Sequence, residues 1–299
     1  MKPKMLHCNS DPIPIGFVGL GRMGGGMARR LVAKGHRVIG FDPSASAQDT
    51  FAAAGGHLAD SPRAVADHAK IIFASLPSVA ISAEVALGPE GARHGRALRI
   101  YIETSTIGPT EVSRIADALE KHHGIQLLDA PVSGGPKGAD EGTLTTVVAG
   151  PRDAFEEVQR YLEDMAAYIV YAGETPGLGQ IYKIVNNYIV MSAMATTCEA
   201  IAVGVRCGAD EAMLLDVINH STGRNYASSF YFPAVVRPRA KVPSLRMAAK
   251  DVRLFCDLAS QIGRTAVCGG SILESWDPVA ENGASMVDWY LSMLGEAGK

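Results

Sequence analysis

The sequence predicts an α/β protein in which an N-terminal, mostly parallel and doubly wound sheet is followed by an all-helical C-terminal domain. Three observations lead to this prediction. A glycine pattern, G-x-G-x-x-G, joins an apolar strand to an amphipathic helix near the start of the 299-residue chain. Strand and helix patterns then alternate as far as residue 173, and no convincing strand pattern follows. We therefore predict two domains, residues 1–173 and residues 174–299.

The first βαβ unit carries the glycine pattern. Its stretch GFVGLGRMGGGMARRL contains Gly19, Gly21 and Gly24. The first glycine permits a tight turn, the second admits a pyrophosphate, and the third lets helix and strand pack closely. A predicted helix over 22–34 ends at Gly35, and the next strand ends at Asp42, whose carboxylate can accept hydrogen bonds from an adenosine ribose. Together these features predict a Rossmann-type dinucleotide site, against the alternatives of a flexible turn and a solvated aspartate.

The alternation continues after Asp42 and changes near residue 174. Helices are predicted over 44–54, 61–69, 79–87, 109–122 and 151–165, and strands over 71–77, 97–105, 125–131, 143–150 and 167–173. The following stretch, 181–207, has small and apolar residues on several faces, which predicts a buried helix. Further helices are predicted near 210–219, 245–262 and 270–294, with a loop at RPRAKVPSLR, residues 237–246. Ligands of such a sheet bind at the carboxyl ends of its strands.

Composition restricts the partners and the compartment. Hydrophobic residues make up 47% of the chain and charged residues 20%, so it can bury a substantial core. A net charge of −3 gives no indication of a nucleic-acid or membrane partner. The five cysteines lack metal-ligand spacing, and their odd number favours a reducing compartment. The opening MKPKMLHCNSDP lacks the apolar region of a secretory signal, and no uninterrupted apolar run is long enough to span a membrane. We expect a cytoplasmic protein without a metal.

Two further features could carry chemistry. The glycine-rich stretch DAPVSGGPKGADEGTL, residues 129–144, follows a strand, and its Ser133, Gly134 and Gly135 could offer a hydroxyl and backbone N–H groups to a carboxylate. A purely steric turn is the alternative. Lys183 and Asn187 lie four apart and therefore share one face of a helix. Burial lowers the pKa of a lysine, which suits proton transfer, although a lone lysine more often extends to solvent.

Several motifs, in order, resemble the β-hydroxyacid dehydrogenase family, which includes 3-hydroxyisobutyrate dehydrogenase and tartronate semialdehyde reductase-type enzymes. They are GFVGLGRMGGGMARRL, TSTIGP, DAPVSGGPKGADEGTL, GQIYKIVNN, STGRNYASS and AAKD, and they cover the chain nearly end to end. The resemblance implies that NAD accepts or donates a hydride and that the substrate is a short 3-hydroxy acid, such as 3-hydroxyisobutyrate, or its semialdehyde. It also implies a homodimer or homotetramer.

The resemblance assigns roles to individual residues. Lys183 would be the catalytic acid/base, Asn187 would assist it, and both would contact the substrate. Ser133, Gly134 and Gly135 would hold the substrate carboxylate. The cofactor would contact Gly19, Gly21, Arg22, Met23, Gly24, Asp42, Leu76, Pro77, Thr106 and Lys250. Asp42 favours NAD over NADP. Taken without the resemblance, Lys250 and Asp251 are an ordinary surface charge pair.

One region departs from the family pattern, and it bears on the substrate. Where relatives commonly have Phe and Asp before the lysine–aspartate pair, this chain has Pro243 and Arg246. Arg246 and Arg224 are candidates for binding a second anionic group, with solvated arginines as the alternative.

Three other functions compete with the dehydrogenase. An imine reductase-like enzyme of the same fold is one, although such relatives usually carry a different residue at the position of Lys183. A non-catalytic dinucleotide-binding module is another, and it would be expected to lack that lysine. A nucleic-acid-associated relative is the third, and the acidic balance of the chain weighs against it.

Overall fold

The computed structural model describes residues 14–242 and 244–296. The chain divides into two compact units, Met1–Lys183 and Ile184–Lys299. The division falls within a long helix that begins at Leu178. The domain boundary after residue 173 lies ahead of this helix and stays a prediction.

The first unit is built on a nine-stranded sheet. Its strands are β1 Ile15–Val18, β2 Val38–Phe41, β3 His57–Leu58, β4 Ile71–Ala74, β5 Ile100–Glu103, β6 Gln126–Asp129, β7 Val132–Ser133, β8 Leu144–Ala149 and β9 Ala166–Gly173. The order is β3-β2-β1-β4-β5-β6-β8-β7, and β9 also pairs with β8. The first six strands in this order are parallel, whereas β8 is antiparallel to β6 and β7. The sheet is therefore mixed, with the strand order of a doubly wound dinucleotide-binding domain.

Helices cover both faces of this sheet. They are α1 Gly24–Ala33, α2 Ala45–Ala53, α3 Pro62–His68, α4 Val79–Leu87, α5 Pro109–His123, α6 Gly135–Glu141 and α7 Arg152–Met165, with a 3-10 turn at Ala92–His94. One core contains side chains of α1, α2 and α7, and the other contains side chains of α3, α4 and α5. Because both faces are covered, β1, β4 and β5 are buried at every position and their sequences are continuous apolar runs apart from Glu103. The predicted fold class is confirmed.

Several short elements were not predicted from the sequence, namely β3, β7, α6, the 3-10 turn and a π-helix at Ala227–Val236. Strands β3 and β7 have two residues each, which is too few to show a periodicity. Helix α6 lies in the stretch 129–144, which the sequence indicated as a glycine-rich loop, so that interpretation was wrong for seven of its residues. Gly134 precedes the helix at φ +132°, and Lys137 pairs with Glu141 one turn later. Because glycine and proline have low helix propensity, the sequence did not indicate this short helix, which packing stabilises.

The second unit is helical, and its described residues form no strand. The long helix α8, Leu178–Arg206, runs into it from the first unit, and α9 Glu211–Asn219, a π-helix at Ala227–Val236, α10 Arg246–Gln261, α11 Val267–Ala280 and α12 Met286–Leu294 follow. Its core is rich in aromatic residues. Phe232 packs edge-to-face on Tyr290, and Trp276 packs edge-to-face on Trp289.

Two predictions for the helical part were wrong. The single helix over 270–294 is two helices, α11 and α12, because Gly283 has a φ of +80° and Ser285 starts a new helix in a capping box with Asp288. Within a single chain, helix α8 is not buried on several faces, since Val185, Ile189 and Val203 are 40%, 63% and 58% exposed. By length and mean hydropathy α8 could cross a membrane, but this is weak evidence because core helices of soluble proteins share both properties.

Candidate dinucleotide and hydroxy-acid site

The glycine turn lies at the carboxyl end of β1 and is shaped by close backbone contacts. Gly19 has a φ of +88°, and a Cβ there would lie 2.2 Å from the carbonyl oxygen of Ser75. Its N–H donates to the carbonyl of Phe41 at 2.9 Å, which ties the turn to the end of β2. Both the backbone conformation and the contact with Ser75 therefore require glycine at this position.

The same turn fits the pyrophosphate of a dinucleotide. Apart from Gly21 itself and its two chain neighbours, no described residue has a heavy atom within 4 Å of the Cβ position of Gly21, so a ligand can approach the backbone. Helix α1 begins at Gly24 after Met23, and in the described part of the chain no side chain caps it or places an acid in its first turn. The uncapped N–H groups and the helix dipole favour an anion here. Arg22 is exposed beside this opening.

Asp42 lies at the tip of β2 with its carboxylate held in place. Oδ2 accepts a hydrogen bond from the Leu20 N–H at 2.7 Å, and Oδ1 accepts one from the Ser44 N–H at 2.8 Å. Each carboxylate oxygen has a second acceptor position, so both can still accept from ribose hydroxyls. The carboxylate is thus oriented by the glycine turn itself.

The other cofactor candidates of the first unit follow β4 and β5, which are neighbours of β1 in the sheet. Leu76 and Pro77 come after β4, and Thr106 comes after β5. Ser105 joins the two loops, because its Oγ accepts from the Leu76 N–H at 2.7 Å while its own N–H donates to Glu103. The fold therefore brings the glycine turn, Asp42 and both loops to the carboxyl edge of the sheet.

The catalytic candidates of the first unit are in direct contact. The Nζ of Lys183 donates to the Oγ of Ser133 at 2.5 Å, although 50 residues separate them in sequence. Ser133 ends β7, and Gly134 and Gly135 follow it at φ +132° and +68°. Lys183 is half-buried. An ammonium group, a hydroxyl and two glycine N–H groups at one place can bind a carboxylate and transfer a proton.

Asn187 and Lys250 both contact the same aspartate, Asp251, in the second unit. The Nδ2 of Asn187, which is buried, donates to Asp251 Oδ2 at 2.7 Å. The Nζ of Lys250 forms an ion pair with Asp251 Oδ1 at 3.2 Å. Asp251 therefore links both candidates, and reading it as half of a surface charge pair was wrong. Spacing alone could not have identified it, because 64 residues separate it from Asn187.

The two candidate arginines differ in their surroundings. Arg246 Nε donates to the carbonyl of Ala280 at 3.1 Å, and its Nη2 donates to the carbonyl of Glu281 at 2.9 Å. These carbonyls belong to the C-terminal end of α11, so Arg246 serves as a helix C-terminal donor. Arg224 is exposed. Pro243, the other departure from the family pattern, lies outside the described residues.

We expect Arg246→Ala to leave the KM of the best substrate within about twofold of the wild-type value. The reason is that two guanidinium nitrogens are engaged by backbone carbonyls. The same change should lower the free energy of unfolding by about 1 kcal/mol, since two carbonyls lose their donor. Steady-state kinetics and urea unfolding measure the two effects. A KM raised more than about tenfold, with kcat unchanged, would instead identify Arg246 as a substrate ligand.

Fold and site together define a Rossmann-type dinucleotide-binding protein, and comparison with known proteins extends this result. Residues 14–173, more than half of the chain, match the family model described as the NAD binding domain of 6-phosphogluconate dehydrogenase. Residues 177–290 match the model described as NAD-binding of NADP-dependent 3-hydroxyisobutyrate dehydrogenase.

Individual relatives agree with these matches. The chain is 38% identical over 243 residues to the 3-hydroxyisobutyrate dehydrogenase of Pseudomonas aeruginosa, covering 81% of each chain. It is also 38% identical over 217 residues to the 2-(hydroxymethyl)glutarate dehydrogenase of Eubacterium barkeri, covering 72% of this chain and 71% of that one. The Mycobacterium tuberculosis 3-hydroxyisobutyrate dehydrogenase, solved with L-serine, superposes with a TM-score of 0.82 at 28% identity over 94% of this chain and 99% of that one. The chain belongs to the β-hydroxyacid dehydrogenase family.

Proposed function

We propose that this protein is an NAD-dependent dehydrogenase of a short 3-hydroxy acid, similar to 3-hydroxyisobutyrate, and that it also reduces the corresponding semialdehyde. The observation that carries the proposal is the contact between Lys183 and Ser133 in the unit that holds the dinucleotide turn. The names of the relatives from Pseudomonas aeruginosa and Mycobacterium tuberculosis support this substrate class.

In this proposal the protein positions the substrate and moves one proton. A bound nicotinamide accepts the hydride in oxidation and supplies it in reduction. Ser133, Gly134 and Gly135 bind the substrate carboxylate, which fixes the carbon bearing the hydroxyl and lowers the entropic part of the barrier. In oxidation Lys183, as the neutral amine, accepts the hydroxyl proton and becomes an ammonium. In reduction its ammonium returns a proton to the developing alkoxide and stabilises that negative charge.

Asn187 and Lys250 belong to the second unit, and each has a role in the proposal. Asn187 lies one helical turn after Lys183 on α8 and assists it by hydrogen bonding. Because its Nδ2 is already bonded to Asp251, its orientation is fixed before a ligand binds. Lys250, paired with the same aspartate, is proposed to contact the cofactor.

A substrate and cofactor panel tests the proposal. Purified protein is offered NAD⁺ or NADP⁺ with short 3-hydroxy acids, short 2-hydroxy acids and the diacid 2-(hydroxymethyl)glutarate, and absorbance at 340 nm records the reduced cofactor. Turnover confined to 3-hydroxy acids with NAD⁺ supports the proposal. Reduction of cyclic imines without turnover of any hydroxy acid would favour an imine reductase, and cofactor binding without turnover would favour a non-catalytic module.

A diacid substrate is the second candidate, and one specific observation favours it. The Eubacterium barkeri relative is named for a dicarboxylic substrate. Arg224 is exposed on the chain and its guanidinium suits a second carboxylate. Efficient turnover of 2-(hydroxymethyl)glutarate that is lost in Arg224→Ala would establish this substrate over a monoacid.

The carboxylate of Asp42 should make the enzyme prefer NAD⁺ over NADP⁺ by at least about tenfold in kcat/KM, equivalent to about 1.4 kcal/mol. A 2′-phosphate would place negative charge beside a carboxylate that the Leu20 and Ser44 N–H groups hold in position. Asp42→Ala should reduce the preference, while Asp49→Ala, which changes an exposed aspartate on α2, should leave it unchanged. Equal use of the two cofactors by the wild-type enzyme would exclude this role of Asp42.

Assembly and location complete the proposal. We propose a homodimer or homotetramer in which a second copy covers the exposed apolar side chains of α8, Val185, Ile189 and Val203, whose burial would stabilise the complex. Light scattering gives the mass, and a monomer at micromolar concentration would contradict it. We also propose a cytoplasmic enzyme that acts without a metal, nucleic-acid or membrane partner.

A further inference from the structure

Gln180 is a fully buried glutamine whose side chain bonds three times to a single loop. Its Oε1 accepts from the N–H groups of Ile107 and Gly108 at 2.9 and 3.1 Å. Its Nε2 donates to the carbonyl of Ser105 at 3.0 Å. The exposed fraction of the residue is 0%. An apolar side chain in its place would leave three buried backbone groups unpaired, so the carboxamide determines the shape of the loop.

The backbone of Gln180 is held as firmly as its side chain. Its N–H donates to Asp129 Oδ2 at 2.8 Å, and the N–H of Gly177 donates to Asp129 Oδ1 at the same distance. A Cβ at Gly179 would lie 2.7 Å from Asp129 Oδ2, so glycine is needed for this close approach. The first turn of α8 is therefore fixed on the end of β6.

These bonds connect the proposed acid/base with the cofactor loops. Lys183 follows Gln180 by three residues and lies one turn further along α8. The loop bonded to Gln180 carries Thr106, and its Ser105 Oγ accepts from the N–H of Leu76. Gln180 thus connects the turn that carries Lys183 to the loop after β5 and, through Ser105, to the loop after β4.

We propose that Gln180 is a positioning residue, because it joins the loop 105–108 to the turn of α8 before Lys183. It thereby fixes the position of the proposed acid/base relative to the cofactor loops. The inference rests on the proposed function of Lys183. Gln180 itself touches neither the substrate nor the reacting atoms. Misplacement of a reacting group by about 1 Å can reduce turnover about 100-fold, so losing the hydrogen bonds of Gln180 should lower kcat.

The test compares Gln180→Leu with Gln159→Leu, which changes an exposed glutamine on α7 whose side chain donates to Glu163. We expect Gln180→Leu to lower kcat about 10- to 100-fold. The Kd for NAD⁺, measured by calorimetry, should rise by a smaller factor than kcat falls, because Thr106 lies on the affected loop whereas the glycine turn and Asp42 lie on other strands. In the NAD-free protein, amide hydrogen exchange of residues 104–109 and 177–185 should become at least about tenfold faster. Gln159→Leu should behave as the wild type.

A double variant separates positioning from general damage. If Gln180 acts through Lys183, adding Gln180→Leu to Lys183→Ala should lower kcat no further, because the group being positioned is already absent. A further loss of tenfold or more would show that Gln180 acts elsewhere. If Gln180→Leu does not fold, Gln180→Glu keeps both acceptor interactions, loses the donation to Ser105, and should show the same pattern with a smaller loss.

Different results would contradict this inference and the proposed function. High turnover in Lys183→Ala alone would remove the proposed function and the positioning role with it. An inactive Lys183→Ala beside a folded Gln180→Leu with wild-type kcat and wild-type exchange would overturn only the role of Gln180.

Discussion

Lys183→Ala should lower kcat by at least about 100-fold, the usual contribution of a general acid/base. In the wild type its ammonium lies 2.5 Å from the hydroxyl of Ser133, and alanine leaves no group there that can take or return the proton. The Kd for NAD⁺ should stay close to the wild-type value, because the glycine turn and Asp42 do not depend on this side chain. Single-turnover kinetics and calorimetry measure the two quantities separately.

Lys183→Arg provides the sharper comparison, and it should not restore activity. An arginine keeps the positive charge but stays protonated, so it cannot alternate between proton acceptor and donor near neutral pH. Lys121→Ala, on the exposed face of α5, controls for the loss of a lysine and should keep the wild-type kcat. Turnover near the wild-type rate in Lys183→Ala would end the proposed mechanism.

The parts of the site that follow from local sequence were predictable. The glycine turn, the helix after it and Asp42 lie within 24 residues of one another, and each has a steric or hydrogen-bonding reason that acts over a few residues. The motif resemblance supplied the proposed roles of Lys183 and Ser133. It could not supply their 2.5 Å contact, because that distance depends on how β7 and α8 are placed by the whole sheet.

The parts that were missed depend on contacts between distant residues. Asp251 and Gln180 look like ordinary polar residues in the sequence, yet one links Asn187 to Lys250 and the other is buried against a loop more than 70 residues away. The burial of α8 within one chain was misjudged because its apolar composition does not say which of its faces packs against the rest of that chain. The type of a residue indicates whether it tends to be buried, whereas the residues that it contacts are determined by the fold.

Asp129 is a buried carboxyl whose ionisation should affect the stability of the first unit. It is 0% exposed and accepts the N–H groups of Gly177 and Gln180 at the start of α8. Burial raises its pKa from 3.8 to about 6, although the backbone hydrogen bonds from Gly177, Gln180 and Gly179 act to lower it. Between these two pKa values the folded protein holds a proton that the unfolded chain has released. The contribution of Asp129 to the free energy of unfolding therefore falls as pH rises from about 4 to about 6.

We expect the free energy of unfolding of the wild type, minus that of Asp129→Asn, to fall by about 3 kcal/mol between about pH 3.5 and pH 7. Asparagine does not titrate, and its amide cannot accept both N–H groups as the carboxylate does, so the variant is destabilised by an amount that does not depend on pH. Urea unfolding at several pH values gives the difference, in which the titration of all other groups cancels. Asp153→Asn is the matched control, because the hydrogen bond from Gln126 lowers the pKa of Asp153 below 3.8. The free energy of unfolding of the wild type, minus that of Asp153→Asn, should therefore stay nearly constant from about pH 5 to pH 7. A difference for Asp129 that is constant or rises with pH would show that its carboxyl is not destabilised by burial.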